Sequence, residues 1–444
     1  MHRSVAIIIV LGVALRLTAL WFVADTRTAY DETSYYAHAA AMVEGRFFVW
    51  EDRRPPLTAW YYAGLLKVFG MGPLVVRIAN ALASSVTILL AWALGRRFGG
   101  DRIGRAAALV VAVYPTLVFF GFSLWSEVLY LPLVLGALLA LVAGERRAGL
   151  LLLSGVLMGA AALTREVGVM LPVAGGLWLL GRAGFRGARA WISAACLGAG
   201  FVMTILPWTV HQNQQTESFT LISQSRWMNL YVGNMPRDPG REQRAMPNLG
   251  KYRKLGGTLQ EREEAARELA LEDIRERLPW WPFEKLAEMI PRLLTPNSLL
   301  TQRMLARPDK PGAYSGSAYE TRADGTGLEW IRLFFAYLAV ASWVALLLAG
   351  TGGFALAWGR PLVGIFLLFI GLQILPTIIT FSFSRYRVPF LPLLAIAAVW
   401  LALEGGAAWR AARTRHRAAV LLSVATAAVV VGLRWWTVIG PHGG

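Results

Sequence analysis

Long apolar runs separated by short basic turns make up most of the chain, and only two stretches stay polar for longer than a turn. At about 20 apolar residues per crossing, the runs predict about eleven membrane spans: 4–24, 73–95, 103–122, 127–143, 149–164, 166–181, 190–208, 329–350, 361–381, 388–404 and 418–437. The fifth and sixth are short and read as tilted or re-entrant. Arginine sets the orientation, because cytoplasmic turns collect positive charge. With the N-terminus inside, the inner turns carry Arg96, Arg97, Arg102 and Arg105, then Arg146 and Arg147, then Arg182, Arg186 and Arg189, then Arg410, Arg413, Arg415 and Arg417. The opposite face then holds Asp31, Glu32, Glu127, Arg165, Arg385 and Arg387.

Both long polar stretches fall on that outer face. The first, 25–72, contains Ala29-Tyr30-Asp31-Glu32-Thr33-Ser34-Tyr35-Tyr36, then Arg53-Arg54-Pro55-Pro56-Leu57 and Trp60-Tyr61-Tyr62. The two prolines stop any helix begun at Thr33, so this loop predicts two short helices lying on the bilayer. The second, 209–328, predicts a strand pair (219–223 and 228–232), a helix opened by Thr258 and Glu261 at capping-box spacing, and an interfacial helix with Phe283, Leu286, Ile290, Leu293 and Leu294 on one face. Its remainder, from about 295 to 328, reads as a flexible loop. The chain thus divides into 1–208 (seven spans and the first outer loop), 209–328 (an extracytoplasmic subdomain) and 329–444 (the last four spans). Gly155 and Gly159 in span five predict close helix packing.

Composition agrees with the pattern. Of 444 residues, 56% are hydrophobic and 16% charged, outside the range of soluble globular chains. The fold class expected is an all-α polytopic membrane protein of the kind just described, with outward-facing juxtamembrane helices and a small mixed extracytoplasmic segment. The net charge of +17 sits in clusters between apolar runs, as in cytoplasmic turns, and points away from nucleic acid. Cys196 has no cysteine to pair with in the chain, and the five histidines lack zinc-ligand spacing.

The candidate chemistry lies in the outer ionisable groups, since charges beside hydrocarbon are costly and kept for function. Taken singly, Glu127 can serve as a helix-start charge, and Arg165, Arg385 and Arg387 as interfacial anchors. Together they gather carboxylates and guanidinium groups on the face where short loops should be poor in arginine. Fixed guanidinium groups there suit an anionic lipid phosphate. A transporter would place ionisable groups at the bilayer midplane between symmetric halves, and the sequence shows neither. A lipid-linked glycan flippase and a non-catalytic polyprenyl-phosphate-binding subunit stay as alternatives. His38 can share a helical face with Asp31 and Tyr35, and reads as a local hydrogen-bonding group.

The order of these passages resembles the GT-C superfamily of membrane glycosyltransferases, specifically the bacterial relatives of dolichyl-phosphate-mannose protein mannosyltransferases and of the lipid A aminoarabinose transferase. The resemblance runs through Leu15-Arg16-Leu17, Asp31-Glu32, Arg53-Arg54-Pro55-Pro56-Leu57, Val76-Arg77, Leu94-Gly95-Arg96-Arg97-Phe98-Gly99, Ser126-Glu127, Leu163-Thr164-Arg165, Pro207-Trp208, Asn229-Leu230-Tyr231-Val232-Gly233-Asn234 and Arg385-Tyr386-Arg387-Val388-Pro389. It implies a polyprenyl-phosphate sugar donor and a lipid, glycan or protein acceptor at the outer face of a bacterial inner membrane. It also implies inverting single displacement, with Asp31 as base beside Glu32. Arg54, Arg165, Arg385 and Arg387 would hold the donor phosphate. Tyr35, Tyr386 and Glu127 would contact substrate, and Asp31 with Glu127 could bind a divalent metal, Mg or Mn. His211-Gln212-Asn213-Gln214 departs from the family's Arg-Asn-Tyr type passage, so acceptor recognition transfers least. The chain stops soon after span eleven, which points away from transfer of a whole oligosaccharide to asparagine.

Overall fold

In a computed structural model of the chain, the described residues are 3–23, 31–46, 54–145, 147–184, 187–215, 219–235, 249–296 and 330–439. The stretch 297–329, most of the loop expected from 295 to 328, lies outside them, as does Arg53. The helices are α1 (Arg3–Val23), α2 (Asp31–Val43), α3 (Leu57–Phe69), α4 (Pro73–Ala83), α5 (Ser85–Gly99), α6 (Asp101–Val113), α7 (Pro115–Phe122), α8 (Glu127–Ala143), α9 (Ala148–Ala162) and α10 (Met170–Ala183). After them come α11 (Ala188–Gln215), α12 (Arg226–Asn234), α13 (Leu249–Tyr252), α14 (Leu259–Glu276), α15 (Trp281–Leu294), α16 (Trp330–Leu356), α17 (Pro361–Ile379), α18 (Leu391–Ala411) and α19 (Thr414–Ile439). Two 3-10 turns, Glu166–Val169 and Ser384–Phe390, lead into α10 and α18.

Every predicted span coincides with helix, but the count of eleven full crossings is not met. Among the described residues seven helices are long and apolar enough to cross a membrane, or eight if the bent pair α6–α7 counts as one. That pair turns through 63° at Tyr114, whose backbone is extended because the residue before a proline avoids the helical region. Helices α8, α9 and α10 have 17, 15 and 14 residues, roughly 21–26 Å of rise against a hydrocarbon core of about 30 Å. The span that runs from Ser384 through α18 is the axis of the bundle: 72% of its most apolar window is buried, against 22% for α1 and 17% for α19. Trp343, Phe366 and Phe369 from neighbouring helices share its buried core.

The expected strands do not form, and the described residues are helical or irregular throughout. Residues 228–232 lie inside α12. The backbone of 220–222, which a strand partner would pair, is taken by side chains at the end of α11. Trp208 donates to the Ile222 carbonyl (2.8 Å) and Thr209 to that of Leu221 (2.7 Å), while Asn213 donates to Thr220 O (2.7 Å) and accepts from its N–H (2.9 Å). With those groups satisfied, a sheet has nothing to gain.

Two small outer units sit on one end of the bundle. Helices α2 and α3, the pair expected before and after the prolines, pack through Tyr35, Ala39, Tyr62 and Leu66 with Val76 and Leu124. Helices α12 to α14 pack through Leu230, Tyr231, Tyr252, Ala266 and Ala270 onto Phe381, and the Thr258–Glu261 capping box opens α14. Lys285 of α15 is buried and donates to the carbonyls of Gly233 (2.7 Å) and Thr380 (3.0 Å), which ties the second unit to the bundle.

Gly155 faces α11 at van der Waals range: a Cβ there would lie 2.0 Å from the Leu197 carbonyl oxygen, whereas one at Gly198 would meet nothing within 4 Å. Gly155→Val should therefore destabilise the detergent-solubilised protein by about 1–3 kcal/mol, read as a fall in Tm, and Gly198→Ala should leave Tm in place.

Candidate active site

A cavity of about 1380 Å³ opens between the two outer units and the ends of the spans. Asp31, Tyr35, Arg54, Arg165, Arg385 and Tyr386 line it. Asp31 stands in the first turn of α2, where one carboxylate oxygen accepts from Arg54 (2.6 Å) and the other from Arg385 (2.5 Å). Burial alone would push this carboxyl up; the charges of Arg385 and Arg54 and their hydrogen bonds outweigh it and hold Asp31 well below the usual carboxylate range. Each guanidinium is also braced by rings. Arg54 lies 4.8 Å from the centre of Tyr35, and Arg385 lies 4.5 Å from Trp125 and 5.3 Å from Tyr386.

Arg165 completes the basic wall. Its backbone is extended at the entry to the first 3-10 turn, and its guanidinium bonds the buried Glu127 and Ser126 Oγ (3.2 Å) and lies over Tyr130 and Tyr386. Tyr386 is thus set between two arginines. His38 also reaches the cavity, with Nδ1–H donating to the Ser34 carbonyl at 2.6 Å.

Three expected site residues sit elsewhere. Glu32 is fully buried and takes a fork of hydrogen bonds from Arg77 (3.2 and 3.1 Å) and one from the Leu124 N–H (3.0 Å). Adjacent helical residues point about 100° apart, so Asp31 faces the cavity and Glu32 the scaffold. Glu127 stands behind Arg165 and does not line the cavity. Arg387 is buried with its guanidinium 3.8 Å from the centre of the Trp343 ring, and bonds the carbonyls of Leu293 and Thr295. It locks α15 against the second 3-10 turn rather than facing a ligand.

Asp31 and Glu127, the pair expected for a divalent metal, each face arginine in this structure. Both carboxylates are already engaged by guanidinium groups, and the described residues hold no group of three His, Cys, Asp or Glu able to bind an ion.

Two further residues line the cavity: Glu166, which the sequence places beside Arg165 on the same rim but with no assigned role, and Gln373. Glu166 accepts from the hydroxyls of Ser223 (2.7 Å) and Ser225 (3.4 Å). Gln373 bonds Tyr130 and donates to the Val167 carbonyl (2.9 Å). The signal for Gln373 was legible: it is the one amide in the apolar helix α17.

Set against solved structures, the architecture extends over almost the entire chain. The oligosaccharyltransferase of Archaeoglobus fulgidus in its apo form superposes on 99% of it with a TM-score of 0.54 at 14% identity. The chain resembles the GT-C glycosyltransferases in sequence and in fold. The sequence profile of the dolichyl-phosphate-mannose-protein mannosyltransferase family matches residues 53–211. The archaeal protein AglB, bound to an inhibitory peptide and a dolichol-phosphate, gives a TM-score of 0.52 at 14% identity over 97% of this chain and 55% of its own. ArnT from Cupriavidus metallidurans bound to undecaprenyl phosphate gives 0.42 at 16% identity, over 88% of this chain and 77% of its own. The chain spans 58% of the length of the apo oligosaccharyltransferase. No curated protein matches it in sequence. The family profile takes in Arg54 and Arg165, while Asp31 and Arg385 lie outside it.

Two substitutions separate scaffold from cavity. Glu32→Ala leaves Arg77 buried without its counter-charge and should cost about 3–5 kcal/mol; the double variant Glu32→Leu/Arg77→Met should recover most of the lost Tm. Arg387→Ala should lower Tm as well, whereas Arg54→Gln should leave it nearly unchanged.

Proposed function

We propose that this protein is an integral membrane glycosyltransferase that moves a sugar from a polyprenyl-phosphate donor to a hydroxyl of a lipid, glycan or protein acceptor. Transfer takes place at the outer face of a bacterial plasma membrane. The observation that carries this reading is the Arg54–Asp31–Arg385 cluster on the cavity wall: one carboxylate between two guanidinium groups, above a bundle of apolar helices. The GT-C resemblance supports a lipid-linked donor, and an AglB structure holds a dolichol-phosphate.

In the reaction proposed, the acceptor oxygen bonds to the anomeric carbon as its proton passes to Asp31. The bond from that carbon to the phosphate oxygen breaks on the opposite face, and its electron pair leaves with the phosphate. One displacement inverts the anomeric centre. Arg54, Arg385 and Arg165 meet the growing phosphate charge with preorganised donors. Asp31 in its resting pair is a weak base. A donor phosphate would draw the two guanidinium groups onto itself, and Asp31 would regain basicity only when there is a sugar to attack.

Asp31→Asn should abolish sugar transfer in a reconstituted assay with labelled polyprenyl-phosphate sugars and keep donor binding, since it removes the base and little volume; near-normal turnover in that variant would overturn the assignment. The pH profiles test the exchange of partners. The profile of kcat/KM reports the free enzyme and that of kcat the bound one. With Asp31 held low by its arginines in the free state and released on binding, the acid limb of kcat should lie at higher pH than that of kcat/KM. Coincident limbs would leave Asp31 a fixed ion-pair partner.

A further inference from the structure

The cavity is more basic than one sugar phosphate requires. Besides Arg54, Arg165 and Arg385, its wall carries Arg46, Arg226, Arg253 and Arg262, while the carboxylates lining it among the described residues are Asp31 and Glu166. The inner three arginines are matched by Asp31 and Glu127. The outer four are matched far less. Arg226 donates to the Phe219 carbonyl (3.0 Å) and Arg262 to that of Thr258 (3.2 Å), neutral partners that leave the positive charge in place. Arg226 is also close enough to Glu166 for their charges to interact, and Arg46 pairs with the exposed Glu44. Arg253 is exposed in the turn after α13.

Arg46 stands well away from Asp31, and the other three come from a different unit of the fold. Helix α2 has 13 residues, about 20 Å of rise, with Asp31 at its start and Arg46 beyond its end. A single phosphate monoester cannot touch both. Arg226, Arg253 and Arg262 come from α12, the turn after α13, and α14, all in the second outer unit, so three separate segments bring the same charge to the cavity wall. Guanidinium forks match the oxygens of phosphates and carboxylates, and a concave wall of one sign concentrates the opposite one.

From this we infer that the outer half of the cavity, formed by Arg46, Arg226, Arg253 and Arg262, is a subsite for an anionic acceptor: a molecule bearing phosphate or carboxylate groups beside the hydroxyl that receives the sugar. The inference rests on the transferase reading for the word acceptor; the anion subsite itself does not. The anionic group can come from a lipid headgroup or from an acidic glycan, and the same arginines would take either.

The full chain in phosphatidylcholine nanodiscs tests it, with binding followed by tryptophan fluorescence. The probes are tetragalacturonate in solution and phosphatidic acid in the nanodisc lipid, beside maltotetraose and phosphatidylcholine alone as neutral counterparts. Wild-type protein should bind at least one anionic probe, more weakly as salt rises, and ignore the neutral ones. The triple variant Arg226→Gln/Arg253→Gln/Arg262→Gln should bind that probe about tenfold more weakly and bind polyprenyl phosphate as wild type does, which also reports that it folds. The single variant Arg253→Gln, outside any helix, should show a partial loss. Equal binding by the triple variant, equal binding of neutral probes, or no binding of either anion would overturn the inference. Failure of the wild type to bind polyprenyl phosphate would instead count against the donor reading and leave the anion subsite standing.

Discussion

The buried ion pair between Glu32 and Arg77 is the constraint on which the candidate site depends. Its two charges are removed from water at the junction of α2 and α4, and the Leu124 N–H closes the remaining bond on Glu32. Such a pair adds little net stability, because desolvation offsets attraction, but it permits one rotation of α2. With Glu32 turned inward, Asp31 has one place to go, and that place is the cavity between Arg54 and Arg385. Two adjacent carboxylates thus hold unlike positions: one orients the helix, the other meets the cavity.

The passages that resemble the GT-C family divide along the same line. Arg16 bonds the carbonyls of Gly12 (2.8 Å) and Ala112 (3.0 Å) inside the bundle and holds α1 to α6. Asn234 is a hub: it donates to the carbonyls of Leu230 and Ile379 and accepts from Trp281 and, at its backbone oxygen, from Arg277. Gly233 beside it lets the backbone of α12 approach Thr380, where a Cβ would lie 2.0 Å from a carbonyl oxygen. Arg16 thus joins two helices of the bundle, and Asn234 and Gly233 pin the second outer unit onto it. Asp31, Arg54, Arg165, Arg385 and Tyr386 are the part of the pattern left facing the cavity.

Charge in that cavity is carried by the chain itself. A carboxylate flanked by two guanidinium groups and a third guanidinium paired to Glu127 form a preorganised positive field, held rigid by Trp125, Tyr130 and Tyr386. In the proposed mechanism the resting partners of Asp31 are the groups a phosphate would use, so binding and base strength would be coupled by simple competition for arginine.

The sequence by itself determined the class of the protein, the place of nearly every helix, the two outer helices flanking Pro55-Pro56, the capping box at Thr258 and the list of ionisable residues from which the site is built. Those follow from hydrophobic periodicity and local backbone chemistry, which act over a few residues. The strands expected at 219–232 were misread because the groups that satisfy that backbone come from the end of α11, outside the local pattern. The short fifth and sixth spans were legible and are α9 and α10, whereas the length of α8 and the bend between α6 and α7 were not, because apolar composition carries no measure of where a helix turns. Only the tertiary structure decided which charges meet. Asp31 and Arg385 are 354 positions apart, Glu32 and Arg77 45, and Arg387, two residues from Arg385, points into the packing of Trp343. Charge type is written in one dimension, whereas the partner that turns a charge into a support or a site is chosen by the packing of helices far apart in the chain.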